Sequence, residues 1–342
     1  MEGRPRSKSP SDAWRIVVTP RSLRLDGELR EMLARARCEA LVVSGPHSSK
    51  ELARLWASAD GAILGLDEVD AAALQAAPRL RVVSRYGVGF DRIDLGACTR
   101  AGVAVTITLG TNQTSVAELT FGLVLALARD LGRGFLAGRG RSDVSPRLGI
   151  ELAGKVLGIV GMGRVGRAVA ERACAFNMSV LYTDPRKLET QNVARLGARR
   201  VTLNELLASA DVVSLHAPLD EQTRGLLSDR EFGLLRPGAL LVNTARGELV
   251  DEVALLRALE SGQLGGAALD VRIHEPTPVD DPIANHPNVL VTPHVAGKTE
   301  ESSRRMAEMA VMNLLAVKRG DWSIEGLVNP EIVAQPTQTP PR

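Results

Sequence analysis

Two hydrophobic patterns alternate along the chain. Short runs rich in Val, Ile and Leu are separated by longer Ala/Leu-rich stretches whose apolar positions recur at helical spacing. This exchange predicts successive βα units and a parallel sheet. In the first third the strand candidates are "RIVVT", "ALVVS", "AILGL", "RVVSR" and "VAVTIT", with helices expected over 28–38 and 50–58. Five such units predict a small doubly wound sheet. The middle of the chain repeats the theme with "VLGIV", "SVLYT", "DVVSL", "ALLVN", "GAALDV" and "NVLVT", six strands, as a Rossmann sheet requires. Helix starts are marked by capping boxes, Thr202 with Glu205 and Ser228 with Glu231. Asp251 is expected to cap "EVALLRALES", which Gly262 ends.

A long apolar helix, "SVAELTFGLVLALARDL", falls between the two groups of strands, and a glycine-rich connection, "GRGFLAGRGRSD", follows it. Beyond "TPHVAGKT" another helix is predicted over 300–318, with Met306, Met309, Ala310, Asn313 and Leu314 along one side and the asparagine as a polar exception. No strand follows it locally, so it is expected to return to the first sheet. The fold class is α/β with two doubly wound parallel-sheet domains, a Rossmann domain inserted into a flavodoxin-like one. The expected limits are 14–110 with 299–330 for the outer domain and 111–298 for the inserted one. The Pro-, Ser- and Thr-rich ends, 1–13 and 331–342, read as disordered tails.

Composition narrows the function classes. At 342 residues there is room for two cores, and 44% apolar with 24% charged residues is a globular balance. Aromatic residues are only 3%, so the cores must be built from Ala, Leu and Val. A net charge of +2 from 42 basic and 40 acidic residues offers nothing to a polyanion, and the basic tail of Arg4, Arg6 and Lys8 is short and broken by prolines. No nucleic-acid partner is expected. No run approaches the roughly 20 apolar residues of a membrane span, so no membrane partner is expected either. Cys38, Cys98 and Cys174 are scattered singly in helix-like segments without metal-ligand spacing, and read as small buried side chains. They imply neither a metal nor a disulfide. With a polar N-terminus that has no signal core, the chain reads as cytoplasmic.

Candidate chemistry begins at "VLGIVGMGRVGRAVAE", where Gly161, Gly163 and Gly166 stand in G-x-G-x-x-G register between a strand and a helix. Gly161 permits the tight turn, Gly163 lets a pyrophosphate approach the backbone, and Gly166 allows close packing. The helix N-terminus then offers free N–H groups to the phosphates. The next strand ends in Asp184, about twenty residues on, where a carboxylate accepts hydrogen bonds from ribose and repels a 2′-phosphate. NAD is the expected cofactor; Arg186 and Lys187 weaken that preference slightly.

Three other polar residues stand where strands end, the edge at which open α/β sheets bind ligands: Arg246, Glu275 and His294. Reduction of a 2-keto acid by NADH needs a cation for the carboxylate and carbonyl, a proton donor for the nascent alkoxide, and control of that donor. Arginine supplies a planar two-pronged cation, and a carboxylate beside histidine raises its pKa and fixes its tautomer.

"HAPLDEQT", "LLVNTARGELVDEVALLRAL", "GAALDV…EP" and "VTPHVAG", taken with the fingerprint, closely resemble the D-isomer-specific 2-hydroxyacid dehydrogenase family. The resemblance runs from about residue 15 to 330. "VVSRYGVGFDRIDL" with "TSVAELTFGLVLALAR" places it nearest the phosphoglycerate-dehydrogenase-like branch. It implies His294 as acid/base, Glu275 as its partner and Arg246 as the substrate-binding cation. It further implies cofactor contacts at Arg164, Val165, Asp184, Ala217, Thr244, Ala245, Asp270 and Gly297, and a homodimer joined through the nucleotide domain. The substrate implied is a small 2-hydroxy or 2-keto acid of the phosphoglycerate, hydroxypyruvate or glyoxylate type. Corepressors that sense NAD(H) are built on the same scaffold and keep the same catalytic residues, so these residues leave that alternative open. The family often carries a tryptophan before "ELAGKVLGIVG", and "RSDVSPRLGI" has none, which bears on the dimer surface.

A second glycine pair, in "RYGVGFDRID", lacks the third glycine and a ribose-binding acid. By the same resemblance the N–H groups around Val88 and Gly89 receive the substrate carboxylate, with His294 and Arg246 also touching substrate. Arg85 and Tyr86 beside them are the first candidates for substrate selection, and Arg85 with Arg54 hints at an anionic substrate tail. His216, His274, His47 and His286 read as non-catalytic.

Overall fold

The computed structural model describes residues 13–141, 143–186 and 195–334. Residues 1–12 and 335–342 of the expected tails, and Lys187, lie outside the described residues. The chain folds as two compact units, Met1–Asn112 with Glu300–Arg342, and Gln113–Thr299.

In the first unit, strands β1 (Trp14–Val18), β2 (Cys38–Val42), β3 (Gly61–Leu64), β4 (Val82–Arg85) and β5 (Ala104–Ile107) form a parallel sheet in the order β2-β1-β3-β4-β5. That is the flavodoxin-like order. Three helices start on aspartate caps, Asp26, Asp70 and Asp94, whose carboxylates accept from the N–H groups of Leu29, Ala73 and Ala97. The first helix is shorter than its pattern suggests. It stops at Arg35, Arg37 turns left-handed at φ 56°, and Cys38 opens β2 rather than ending a helix.

The last helix, Glu300–Arg319, does return to this sheet, burying Met306, Ala310 and Leu314 against it. Its polar exception has a partner: Asn313 Nδ2 donates to the Ile107 carbonyl at 3.1 Å. The outer edge of β5 is then closed by the chain beyond the helix. Ile107 N donates to Gly326 O, and Val328 N to Val105 O. The fully buried Asn329 completes the closure, accepting from Val105 N at 2.8 Å and donating to Val103 O at 3.0 Å. Covering an edge in this way removes a template for aberrant strand pairing. The segment read as a tail from residue 331 begins in a 3-10 turn, Pro330–Ala334, with Ile332 in the core.

In the second unit, strands β6 (Val156–Val160), β7 (Ser179–Thr183), β8 (Arg199–Arg200), β9 (Val212–Leu215), β10 (Ala239–Asn243), β11 (Leu264–Leu269) and β12 (Val289–Val291) run parallel. Their order is β12-β11-β10-β9-β6-β7-β8, a Rossmann arrangement with one additional strand. The strand missing from the sequence reading is β8, two exposed arginines that no apolar pattern could mark. Helix Gln113–Ala128 lies over β10 and β11 and against helix Arg164–Ala175, burying Ala117, Phe121, Val124 and Leu127. The glycine-rich connection after it is helical through Gly138, forming a second helix, Leu131–Gly138. Asp130 breaks the first helix with φ 50°, and its carbonyl accepts from Gly134 N to start the next. Both capping boxes form as read, and Asp251 caps its helix through Val253 N and Ala254 N. Gly262, at φ 75°, lies just beyond the end of that helix.

Candidate functional site

Because every strand of the second unit is parallel, the chain leaves all seven on one edge of the sheet. At the switch point between β6 and β9, Gly161 takes φ 94°, and a side-chain carbon there would lie 2.7 Å from the His216 carbonyl and Ala217 N. Both the dihedral and the space admit only glycine. Gly166 is as constrained: its Cβ would meet Gly161 O at 2.2 Å. Helix Arg164–Ala175 starts on Gly163 with no side-chain cap, so no N-cap side chain takes up the first N–H groups of the helix. A backbone cradle with space over Gly163 and an uncapped helix start fits a pyrophosphate, and the residues present therefore suit a dinucleotide.

The acid at the end of β7 is buried. Asp184 Oδ2 accepts from Met162 N at 2.9 Å, which ties it to the glycine turn, and both of its oxygens accept from the exposed Arg186 guanidinium at 3.1 Å. Burial works to raise this carboxyl, but the bonds from Arg186 and Met162 outweigh it and hold the group below its ordinary range. Arg186 thus sits directly on the carboxylate expected to read ribose. His216, beyond β9, is desolvated down to about 3 and its Nε2 lies 2.8 Å from Ser214 Oγ. It is neutral at working pH, consistent with a packing role.

Three adjacent strands deliver the other candidates. Beyond β10, Asn243 folds the exit loop by accepting from Ala245 N at 3.0 Å and donating to Arg246 O at 2.7 Å. Thr244 Oγ1 lies 2.9 Å from Thr120 Oγ1, and Arg246 Nη1 donates to Ala245 O at 2.6 Å. Beyond β12, His294 has φ 52°, a left-handed conformation rare for a residue with a Cβ. Asp270, at the end of β11 and almost fully buried, imposes it. Its Oδ1 accepts from Thr292 Oγ1 at 2.6 Å and Val295 N at 2.9 Å, and its Oδ2 from Ala296 N at 2.8 Å; its carbonyl accepts from His294 N at 2.9 Å. The carboxylate of Asp270 is the scaffold of the histidine turn. His294 Nδ1 is then 2.9 Å from Glu275 Oε2. The pair inferred from strand-end positions is brought together in space.

One constellation escaped the sequence reading. Arg272, two residues past Asp270, is 3% exposed at its side chain and forks onto two carboxylates. Its Nε and Nη2 donate to Glu252 at 2.7 and 3.1 Å, and its Nη1 and Nη2 to Asp281 at 3.1 and 3.0 Å. Burial alone would lower the charge of this guanidinium, yet the bonds to Glu252 and Asp281 hold its pKa above the ordinary value. The partners stand 20 and 9 residues away in the chain, so no local motif announces them.

In the first unit, the loop after β4 is framed by Arg85. Its Nε donates to Gly89 O at 3.0 Å and its Nη1 to Tyr86 O, while Gly87 N donates to Thr108 Oγ1 at 2.9 Å. Tyr86 is buried with its hydroxyl donating to Ser303 O. Nε and Nη1 of Arg85 and the Tyr86 hydroxyl are thus engaged by main-chain carbonyls. Among the described residues, the N–H groups of Val88 and Gly89 have no hydrogen-bond acceptor. Of the cysteines, Cys98 is buried in a helix, where desolvation pushes its thiol up to about 12, Cys38 is buried in a strand and Cys174 is exposed. Among the described residues there is no cluster able to hold a metal and no helix long and apolar enough to cross a membrane.

The chain is similar to known proteins over most of its length. A glyoxylate reductase of Korarchaeum cryptofilum is 42% identical over 272 residues, covering 78% of this chain and 81% of that one. The D-3-phosphoglycerate dehydrogenase of Rattus norvegicus is 40% identical over 284 residues, 82% of this chain but 53% of the longer relative. The crystal structure of a D-lactate dehydrogenase from Aquifex aeolicus, complexed with NAD and lactic acid, matches with a TM-score of 0.81 at 29% identity, covering 92% of this chain and 99% of that one. Residues 121–296 match the family profile described as D-isomer specific 2-hydroxyacid dehydrogenase, NAD binding domain. With a fingerprint turn, a buried acid after β7 and a histidine–glutamate pair on one sheet edge, the chain belongs to the D-isomer specific 2-hydroxyacid dehydrogenases, which are NAD-dependent oxidoreductases.

Proposed function

We propose that the protein reduces a small 2-keto acid of the glyoxylate or hydroxypyruvate type, with His294 as proton donor, Glu275 as its orienting partner and Arg246 as the substrate-binding cation. The observation that carries this reading is the 2.9 Å contact between His294 Nδ1 and Glu275 Oε2. A carboxylate on Nδ1 fixes the tautomer in which Nδ1 keeps its hydrogen, leaving Nε2 to hold and deliver the reacting proton. Arg246 binds the substrate carboxylate and polarises its carbonyl. The N–H groups of Val88 and Gly89, in the first unit, are of a kind that takes a carboxylate. NADH, when bound at the glycine turn, would supply the hydride for the carbonyl carbon. His294 then gives its proton to the carbonyl oxygen, and the products are the D-2-hydroxy acid and NAD.

The cofactor contacts are assigned to Gly161, Gly163, Arg164, Val165 and Gly166 at the pyrophosphate and Asp184 at the ribose. Ala217, Thr244, Ala245, Asp270 and Gly297 lie on the strand exits beside them. A small substrate is favoured over a phosphorylated one because the guanidinium of Arg85 serves the carbonyls of its own loop. The relatives matched over most of their own length are named glyoxylate reductases, which supports the same choice. A second copy of the chain is the proposed partner for the apolar surface of helix Leu131–Gly138 and the segment after it, where Leu131, Phe135, Leu136 and Leu148 are exposed. Its unpaired cysteines suit a cytoplasmic location.

The test is a panel of 2-keto acids followed by NADH absorbance. Turnover is expected on glyoxylate or hydroxypyruvate, above that on a phosphorylated keto acid. Tight NADH binding with no turnover on any member would turn the reading toward an NAD(H)-sensing protein.

A further inference from the structure

The buried cluster around Arg272 has no place in the reaction as described, yet its main chain touches both halves of the catalytic apparatus. Arg272 N donates to Glu275 Oε1 at 3.1 Å, while Oε2 of the same carboxylate meets His294 Nδ1 at 2.9 Å. On the other side, a Cβ on Gly247 would lie 2.2 Å from the Arg272 carbonyl carbon and 2.4 Å from Ile273 N. The residue after Arg246 must therefore be glycine, and the Arg246 loop rests on the Arg272 backbone. The same cluster grips the next residue too, since Ile273 N donates to Glu252 Oε1 at 3.1 Å.

We propose that Arg272 is a positioning residue for the reaction. Clamped between Glu252 and Asp281, it fixes the main-chain N–H that holds the Glu275 carboxylate against His294. This rests on the assignment of His294 and Glu275 given above. The physical case is one of geometry over stability. A glutamate carboxylate on a strand-exit loop has several rotatable bonds, and only fixed partners at both oxygens hold it in one orientation. The guanidinium is a planar fork with five donors, so pairing it with two carboxylates locks its plane and, through a buried stem, the backbone that carries it. Each carboxylate is anchored in turn. Glu252 opens helix Glu252–Glu260, and Asp281 Oδ1 accepts from Ala284 N at 2.7 Å. Buried ion clusters of this kind add little net stability over apolar side chains of similar size, so a role in fixing position is the better account of its charge.

Removing the arginine alone strands two buried carboxylates, so the decisive variant removes all three charges together: Arg272→Met with Glu252→Gln and Asp281→Asn. Its kcat, keto-acid KM, NADH affinity by fluorescence and Tm are compared with those of the parent, of Glu275→Gln, and of the two combined. Glu275→Gln alone is expected to lower kcat about a hundredfold, and the triple variant about tenfold with NADH affinity unchanged. Combined, they should be no slower than Glu275→Gln by itself, because both act through one carboxylate. A triple variant with parental kcat, or one whose loss multiplies with that of Glu275→Gln, overturns the proposal. Parental kcat in Glu275→Gln alone overturns the assignment beneath it, and the proposal with it. If the triple variant does not fold, Arg272→Lys keeps the charge without the fork. It should still lower kcat about tenfold at unchanged KM, and a fully active lysine variant is the contrary result.

Discussion

The molecule holds two glycine turns of similar appearance, 87–89 after β4 and 161–163 after β6, each at the C-terminal edge of a parallel sheet. The chain just beyond each turn separates their uses. The second runs directly into the 12-residue helix Arg164–Ala175 and is joined through Met162 N to the buried Asp184, so it offers an uncapped helix start and an acid. The first leads into a loop, with its next helix, Leu95–Arg100, capped separately by Asp94. Instead of a helix it has Arg85, whose guanidinium donates to the Gly89 and Tyr86 carbonyls, while among the described residues the N–H groups of Val88 and Gly89 have no acceptor. A cradle made of a few N–H groups suits a carboxylate, whereas one continued by a helix N-terminus suits a pyrophosphate. A glycine pair by itself sets only the turn.

The sharpest division comes from removing the chemistry while sparing both turns. His294→Ala is expected to lower kcat by about 10²- to 10⁴-fold with NADH affinity intact, measured by turnover and fluorescence titration. Parental turnover would remove His294 as the acid. Next in size is Gly161→Ala, which forces a Cβ to 2.7 Å from the His216 carbonyl at φ 94°. NADH binding should weaken by more than about tenfold and Tm should fall. If NADH binds this variant normally, the turn is not the pyrophosphate cradle.

Arg85→Met should do the opposite, raising keto-acid KM by about tenfold while NADH affinity stays put. A change in NADH affinity instead of KM would erase the contrast between the loops. Asp184→Ala should erode the preference for NAD over NADP several-fold, read as the ratio of kcat/KM values, and a constant ratio would mean that the ribose is read elsewhere. The smallest effect concerns pH. His216 stays neutral in the folded protein down to about 3, while the unfolded chain takes up its proton near 6.5. Stability should therefore decline as pH falls through 6.5 and keep declining toward 3. Urea midpoints across that range should be flatter for His216→Asn, and identical slopes would refute the desolvated histidine.

Local signals in the chain were enough for much of this. Capping boxes act over three residues, strand runs carry their own periodicity, and the fingerprint needs only its glycines and an acid about twenty residues on. Strand-end position then picked out Arg246, Glu275 and His294 without any neighbour in sequence. Signals failed where apolar pattern was absent or ambiguous. The two-arginine strand β8 has none, and helix Leu131–Gly138 hides behind its glycines. Cys38 passed for helix because Ala, Arg and Glu surround it, until pairing with Trp14 drew it into β2.

The sequence by itself determined the two α/β units, the dinucleotide turn and the chemical types at the reacting edge, since each rests on spacing within one or two elements. Only the tertiary structure decided what those polar groups do for one another. It turned Arg85 into the frame of its loop and Asp270 into the scaffold of the histidine turn. It also joined Arg272 to Glu252 and Asp281, 20 and 9 residues away. The pairings of Asp270 and Arg272 are set by which strand ends lie side by side in the order β12-β11-β10, and that order is a property of the folded sheet rather than of any stretch of chain.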